Sequence, residues 1–326
     1  MNVSVVIPVK NDPVGLEACL LSIEASAVQG VDYEVLVVDN GSTDDTIAVA
    51  KRHGATVLQA PHATVSALRN LGAKKSTGDV LAFIDADCTV VPGWFDALKP
   101  YLQDDAVVCF GSPPTIPKQS TWVQRCWYQI RKKVSADGTA FDIEWLESMN
   151  MFVRRDAFWK VGGFDEALIT CEDYDLCTRL QKLGSIRCDN RIVAIHHGEA
   201  ETPARFYGKE RWRGSSNLQS LRKHGFALSE LPSVLFPLVH VLISVVAATA
   251  LLFVLFGSLP LWVWILGVVL WQTPLLLLAR KKSDLSDRWR QTFGIGALLN
   301  LYFMARGLSL FTGASWREPQ DAASES

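Results

Sequence analysis

The sequence has little of what a disulfide-stabilised or zinc-stabilised domain needs. Its 7 cysteines are scattered between Cys19 and Cys188, none forms a CxxC pair, and none stands at zinc-ligand spacing from a histidine. An odd number of scattered cysteines is typical of free, mostly buried thiols in a reducing compartment. The formal net charge is only -2, so the chain lacks the overall positive field that would attract nucleic acid. We therefore expect no nucleic-acid partner.

The N-terminal residues also do not show the pattern of a secretory signal peptide. The first apolar run, Val3–Val9, is short and has no basic segment before it. Signal peptides carry a basic start followed by a longer apolar stretch. We therefore expect the N-terminal part of the chain to stay in the cytosol.

Short β-branched runs alternate with helical patterns over the first 85 residues. The predicted strands are 3–9, 34–39, 55–59 and 80–84, and the predicted helices are 15–27, 45–53 and 66–75. Strands that are apolar throughout and separated by helices predict a parallel sheet covered on both faces. Two of these strands lead directly into carboxylates, Asp39 and Asp85. A site is therefore expected at the carboxyl edge of the sheet, where such folds bind ligands.

The C-terminal third has long uncharged runs. Val234–Phe256 and Leu259–Ala279 contain no Asp, Glu, Lys or Arg, and each reaches the roughly 20 residues that span a bilayer. A third run, Thr292–Thr312, includes Asn300 and Arg306. A span that turns these two residues inward is favoured, and an interfacial helix is the alternative.

Basic residues at 280–282, 288 and 290 lie between the second and third runs. Such a loop is expected in the cytoplasm, on the same side as the N-terminal part, because two crossings separate them. The predicted organisation is a cytosolic α/β domain over 1–230, a transmembrane hairpin over 231–280 and a basic cytosolic loop over 281–291. A third transmembrane or interfacial helix over 292–313 and a polar tail over 314–326 follow.

Asp85-Ala86-Asp87 directly follows the fourth predicted strand. Two carboxylates at positions i and i+2 can converge on one cation where the backbone turns. Mg²⁺ and Mn²⁺ take oxygen ligands and bridge to phosphates. Taken alone, this DxD pattern more often marks a solvated turn.

Further motifs accompany the DxD pattern, and with them the sequence resembles the inverting glycosyltransferases of family 2, which have the GT-A fold. The matching segments occur in the family's order over about residues 1–200: Val5-Val6-Ile7-Pro8, residues 37–44, Arg69-Asn70-Leu71-Gly72, Gly78-Asp79, Asp85-Ala86-Asp87, residues 161–165 and Glu172-Asp173. The resemblance, to membrane-anchored bacterial-type members, implies a Rossmann-like catalytic domain with a mostly parallel sheet. It also implies a nucleotide-sugar donor and Mn²⁺ or Mg²⁺ as cofactor.

The resemblance assigns residues to the donor. Pro8 and Asp39 would line the nucleotide pocket, with Asp39 accepting a hydrogen bond from the base; a turn cap is the alternative for Asp39. Arg69 would either lie near the donor diphosphate or hold the loop by an ion pair. Asp44 is expected to cap the next helix.

The resemblance also implies a metal site. Asp85 would contact the ribose or the sugar, and Asp87 would hold the metal. His196-His197 follows the apolar run Ile192–Ile195. In related enzymes, a histidine near this position completes the metal site. His196 aligns slightly better than His197, and a pair of ordinary strand-end histidines is the alternative.

Glu172-Asp173 begins a predicted helix, and Gly184 fits its end. Acids in a first helical turn are commonly a favourable charge at the helix N-terminus. The resemblance instead makes Asp173, beside Glu172, the general base that takes the proton of the acceptor hydroxyl. The reaction would then be a single in-line displacement with inversion.

Arg211-Trp212 matches part of the Gln-x-x-Arg-Trp motif of processive synthases, but Gly208 stands at the Gln position. Few crossings follow, so we expect one sugar to be added per event. Lys209, Arg211 and Trp212 would lie near the donor, with Lys209, Arg211 and Arg213 binding its diphosphate or anionic lipid headgroups. A juxtamembrane basic face is the alternative.

The sequence therefore predicts a hexosyltransferase-type enzyme at the inner, cytoplasmic membrane. It would move one sugar from a nucleotide donor, with UDP favoured, to a lipid-linked glycan or lipid acceptor in cell-envelope or exopolysaccharide synthesis. A polyprenyl-phosphate sugar transferase is one alternative. A non-catalytic membrane subunit that binds nucleotide or glycan as a scaffold is the other.

Overall fold

The computed structural model describes residues 2–133, 140–214, 231–284 and 287–311. The chain divides into two compact units, one made of Met1–Lys118 and Lys132–Glu199, the other of Gln119–Arg131 and Ala200–Ser326. This grouping differs from the predicted domain boundary at residue 230. The reason is that helices within 119–131 and 200–214 pack with the C-terminal helices.

The described part of the first unit contains ten strands. Their bounds are β1 (Asn2–Val9), β2 (Asp32–Asp39), β3 (Thr56–Gln59), β4 (Val80–Ile84), β5 (Cys88–Val90), β6 (Val107–Gly111), β7 (Phe141–Asp142), β8 (Asn150–Arg154), β9 (Ser185–Cys188) and β10 (Ala194–His196). Eight of them form one sheet in the order β3-β2-β1-β4-β8-β6-β9-β7, and β5 pairs with β10 in a separate two-stranded sheet. Four neighbouring strands of the sheet, β3, β2, β1 and β4, run parallel. Strand β8 is antiparallel to its neighbours β4 and β6. The prediction of a mostly parallel GT-A-like sheet is confirmed.

Eleven α-helices are described along the chain. Their bounds are α1 (Pro13–Glu24), α2 (Thr46–Arg52), α3 (Val65–Lys75), α4 (Lys99–Leu102), α5 (Trp122–Arg131), α6 (Arg155–Lys160), α7 (Glu172–Leu180), α8 (Pro203–Arg213), α9 (Leu231–Leu255), α10 (Leu261–Lys282) and α11 (Arg288–Ser309). The first and third begin after polar side chains that cap them. Asp12 accepts the N–H of Gly15 and Thr64 accepts that of Ala67. Asp44 accepts the N–H of Thr46 at 3.0 Å but precedes the N-cap residue Asp45, whose side chain makes no cap hydrogen bond, so Asp44 is not the N-cap that was predicted.

Both faces of the main sheet are buried. Side chains alternate along each strand, so Val5 and Ile7 of β1 join one apolar layer while Val6 joins the other. Gly72 of α3 lies so close to the sheet that a Cβ there would overlap the side chain of Val6. The sheet is therefore covered on two sides, as its uniformly apolar strands predicted.

The described part of the second unit contains α5 and α8–α11. Among the helices that the structure describes, α9 and α10 are the two that are long and apolar enough to cross a membrane. Large apolar side chains along both, such as Leu252 and Leu270, are exposed. Burying such a surface requires lipid or another protein.

The third predicted run forms α11, which packs against α5, α8, α9 and α10. Asn300 and Arg306 face inward, as expected of a packed helix. Asn300 exchanges hydrogen bonds with Gln272 of α10 at 2.9 and 3.0 Å, and Arg306 pairs with Glu210 of α8 at 2.9 Å. Whether α11 spans the membrane or lies at its interface stays a prediction.

The seven cysteines are free thiols, and all but the partly exposed Cys171 are buried. This agrees with the predicted absence of a disulfide framework.

Candidate functional site

Asp39 closes β2 at the carboxyl edge of the sheet, where it is fully buried. Its carboxylate accepts the backbone N–H groups of Gly41 and Ser42 at 3.0–3.2 Å. Gly41 has a φ of +80°, a conformation that glycine adopts without strain. The structure therefore places Asp39 as a turn cap beside the end of β1, where Pro8 is also buried. The contacts of both residues with a nucleotide stay predictions.

Arg69 of α3 joins two carboxylates from distant parts of the chain. Its guanidinium lies 2.8 Å from Asp85 and 2.9 Å from Glu172, and its side chain is only 3% exposed. Burial lowers the pKa of Arg69, but the two carboxylates outweigh it and raise that pKa. The structure therefore shows the ion-pair alternative for Arg69. The bridge links the DxD loop to the first turn of α7.

The two-stranded sheet brings Asp87 and His196 together. Cys88 of β5 is paired with His196 of β10, and the Nε2 of His196 lies 3.1 Å from the Oδ2 of Asp87. Burial lowers the pKa of His196, but Asp87 and Glu199 outweigh it and raise that pKa to about 9. The negative charge around this buried ring favours a bound cation.

His197 is placed differently. Its side chain is exposed, and its Nε2 lies 2.8 Å from the hydroxyl of Thr89. Of the two predicted histidines, the structure brings His196 to Asp87 and turns His197 to Thr89.

The ligand atoms of Asp87, Cys88 and His196 all lie within 4.8 Å of one another. A carboxylate oxygen and an imidazole nitrogen suit a divalent cation such as Mn²⁺. Cys88 suits it less, because burial raises the pKa of its thiol well above the usual value and keeps it protonated. A Cβ at Gly198 would overlap the Oδ2 of Asp87, so a glycine leaves this carboxylate room. The residues present therefore fit a divalent metal.

Glu172 and Asp173 open α7 after Cys171, whose φ of 67° turns the chain sharply. Burial, followed by the charges of Glu172 and Glu147, raises the pKa of Asp173 to about 7. A carboxylate with this pKa exchanges protons at neutral pH, which suits a general base. Glu172 instead forms an ion pair with Arg69.

Lys133 and Glu147, which the sequence pattern does not mark as site residues, accompany Asp173. The ammonium of Lys133 lies 4.2 Å from the ring centre of Trp145, which in turn lies 6.2 Å from Tyr174. Burial lowers the pKa of Lys133, against the raising effect of Glu147. No short motif marks these residues, because the fold and not their spacing brings them together.

Lys209, Arg211 and Trp212 lie on α8 in the second unit, where their side chains are partly buried. Between them, the carboxylate of Glu210 is fully buried and pairs with Arg213 at 2.7 Å and Arg306 at 2.9 Å. Glu210 is therefore the buried acid of this helix, and Lys209, Arg211 and Trp212 beside it are partly exposed.

The chain is similar to several known glycosyltransferases. Residues 4–162 match the model of Glycosyl transferase family 2. Glycosyltransferase AglE of Haloferax volcanii is 29% identical over 220 residues, covering 64% of this chain and 68% of that protein. The pre-mycofactocin glycosyltransferase of Mycobacterium tuberculosis is 30% identical over 211 residues, 60% of this chain. The chain spans only 42% of the length of that second relative.

Among solved structures, the mannosyltransferase PcManGT from Pyrobaculum calidifontis, in complex with GDP-Man and Mn²⁺, superposes with a TM-score of 0.66. It is 18% identical, and the match covers 94% of this chain and 86% of that one. GalNAc-T7 with UDP, GalNAc and Mn²⁺ gives a TM-score of 0.50 at 15% identity. At these identities the likeness establishes a shared fold.

Proposed function

Because the chain belongs to glycosyltransferase family 2, we propose that it is an inverting, metal-dependent enzyme that transfers one sugar from a nucleotide-sugar donor. The observation that carries the proposal is the Arg69 bridge between Asp85 and Glu172. It ties the loop that holds Asp87 to the helix turn that holds Asp173. The proposed metal ligand and the proposed base therefore lie in the same unit.

Asp87 and His196 would hold Mn²⁺ or Mg²⁺, and the bound cation would offset the charge of the donor diphosphate. Pro8, Asp39 and Asp85 would contact the rest of the donor. Support comes from the solved relatives, which are described with Mn²⁺ and with GDP-Man or UDP. Since both bases occur among them, GDP-sugars deserve the same test as the UDP-sugars favoured by the sequence.

Asp173 would accept the proton of the acceptor hydroxyl as that oxygen attacks the anomeric carbon. The diphosphate leaves from the opposite face, and the configuration inverts. A positioned base contributes about 10²–10⁴-fold, so Asp173→Asn should lose that much turnover while donor binding is retained. Asp156→Asn is a matched control, because Asp156 occupies the same second position of α6 but is exposed.

The acceptor would be membrane-associated, either a lipid-linked glycan or a lipid. Support comes from α9 and α10, which would anchor the enzyme at the cytoplasmic membrane with its catalytic unit in the cytosol. Lys209, Arg211 and Trp212 would contribute phosphate and headgroup contacts. A polyprenyl phosphate that serves as acceptor without any glycan would identify the simpler polyprenyl-phosphate transferase.

The first test is the thermal stability of the detergent-purified chain with UDP-, GDP- and dTDP-sugars, each with and without Mn²⁺. A donor at about 100 times its dissociation constant adds about 2.7 kcal/mol. We expect a metal-dependent rise with one nucleotide, lost in Asp87→Ala. A folded protein that responds to none of them would contradict catalysis and favour the scaffold alternative.

A further inference from the structure

A second carboxylate lies behind His196. The Oε1 of Glu199 is 3.3 Å from the Nδ1 of His196, the ring nitrogen opposite the one that faces Asp87. The side chains of Glu199 and His196 are only 2% and 4% exposed. The imidazole therefore lies between two carboxylates, one near each nitrogen, although the Oε1 of Glu199 and the Nδ1 of His196 do not meet in hydrogen-bond geometry.

The local chain path explains how Glu199 reaches this position. His196 ends β10 with its side chain buried, His197 is exposed, and Glu199 is buried again three residues further on. Between them, Gly198 passes close to Asp87 without a side chain that would displace it. Glu199 also lies beyond residues 4–162, which carry the match to the family model.

Burial of a carboxylate requires compensation by a hydrogen-bond donor or a positive charge. The nearby imidazole nitrogen can supply the donor. A histidine that binds a metal through one nitrogen usually donates its other N–H to a carboxylate, which fixes the tautomer and the ring orientation. The placement of Glu199 at the nitrogen away from Asp87 matches that arrangement.

We propose that Glu199 is a positioning residue of the metal site: its carboxylate keeps the proton on Nδ1 of His196, so that a divalent cation shared with Asp87 displaces the proton of Nε2 to solvent and binds that nitrogen. The proposal rests on the proposed function only in that such a cation binds. Glu199 itself touches neither donor nor acceptor in this role.

The test measures Mn²⁺ binding to the full-length, detergent-purified chain by electron paramagnetic resonance, without any nucleotide or acceptor. Substitution of an outer-shell partner typically weakens metal binding 10–100-fold. We expect a loss of about that size in Glu199→Gln and a smaller loss in Glu199→Asp, which keeps the charge. Glu201→Gln is the matched control, because Glu201 is exposed two residues away.

A spectroscopic readout separates positioning from packing. Bound Mn²⁺ should show nitrogen hyperfine coupling from His196 in wild type and in Glu199→Asp, and the coupling should weaken in Glu199→Gln. Thermal unfolding of each variant without metal reports whether the fold is retained.

The outcomes distinguish this proposal from the function on which it rests. If His196→Ala loses Mn²⁺ but Glu199→Gln binds it like wild type with unchanged nitrogen coupling, Glu199 has no positioning role and the metal site stands. If folded wild-type protein binds no Mn²⁺, both the positioning role and metal dependence are overturned.

Discussion

The Nε2 of His196 lies 3.1 Å from the Oδ2 of Asp87, although 109 positions separate the two residues in the sequence. The pairing of β5 with β10 creates this contact. Loss of a residue that only supports a metal ligand weakens binding up to about 100-fold. Because His196 would bind the metal directly, His196→Ala should weaken Mn²⁺ binding by at least that much. Calorimetric titration of the purified protein measures it.

His197→Ala is the internal control for this prediction, because His197 is adjacent but turned to Thr89. It should bind Mn²⁺ like wild type. The opposite ranking of the two variants would assign the metal to His197 instead.

Arg69→Ala should strongly destabilise the first unit. Removing one partner of a buried ion pair costs about 3–5 kcal/mol, and here two carboxylates, Asp85 and Glu172, lose their shared partner. Arg69→Lys should recover only part of the loss, since an ammonium lacks the fork that reaches both acids. Denaturant unfolding reports the change, and Lys74→Ala on the exposed side of α3 should leave stability within about 0.5 kcal/mol.

The pKa of Asp173 near 7 predicts the acid side of the activity profile. As a base, Asp173 must be deprotonated, so log kcat/KM should rise with pH up to about 7 and level off above it. Glu147→Gln removes a negative charge near Asp173, which should lower the pKa of Asp173 and move the rising part of the pH profile to lower pH. Exposed Glu144→Gln should not move it, and an unchanged limb in both variants would argue against Asp173 as the titrating base.

The same pKa has a consequence for stability. The folded state holds this proton more tightly than the unfolded chain, whose usual value is 3.8. The stabilising contribution of protonated Asp173 to the free energy of unfolding is therefore fully present below pH 3.8 and is lost as pH rises through about 7. Asp173→Asn should make the free energy of unfolding less dependent on pH in that range.

Gly198→Ala should disturb the metal site without unfolding the chain. The added methyl group would overlap the Oδ2 of Asp87, and this carboxylate is partly exposed and able to move. We expect weaker Mn²⁺ binding with a nearly unchanged melting temperature. Unaltered Mn²⁺ affinity would show that Asp87 does not need its observed position.

Glu210→Ala should destabilise the second unit. The carboxylate is fully buried and pairs with Arg213 and Arg306, so its loss leaves two guanidinium groups without their shared acceptor. The expected cost is about 3–5 kcal/mol, read from the thermal unfolding of the unit in detergent. Arg205→Ala, at an exposed position of the same helix, should have little effect.

The parallel half of the sheet was predictable, because β1, β2 and β4 are short, apolar and β-branched and lie between clear turn signals. β8 was not predicted. Its sequence, Asn150–Arg154, carries polar residues at both ends and offers no turn signal that reveals its antiparallel position between β4 and β6. Strand order depends on contacts between distant segments, which a local pattern does not contain.

The candidate site was likewise only partly predictable from the sequence. The DxD motif and Glu172-Asp173 were visible as short motifs next to predicted elements. Cys88, Glu147 and Glu199 were not, because each gains its significance from a neighbour far away in the sequence or from burial. The choice between His196 and His197 likewise required the register of β5 and β10.

The strand order also limits which fragments of this protein can exist alone. A fragment containing only residues 4–162 would retain β6 and β8 but lack β9, the other strand bonded to β6. An uncovered strand edge recruits strands from other molecules, so such a fragment should aggregate on expression. It would also lack the histidine that faces Asp87. A segment that retains β9, β10 and this histidine must extend at least to Glu199, and α5 within it would then lose its packing against α11.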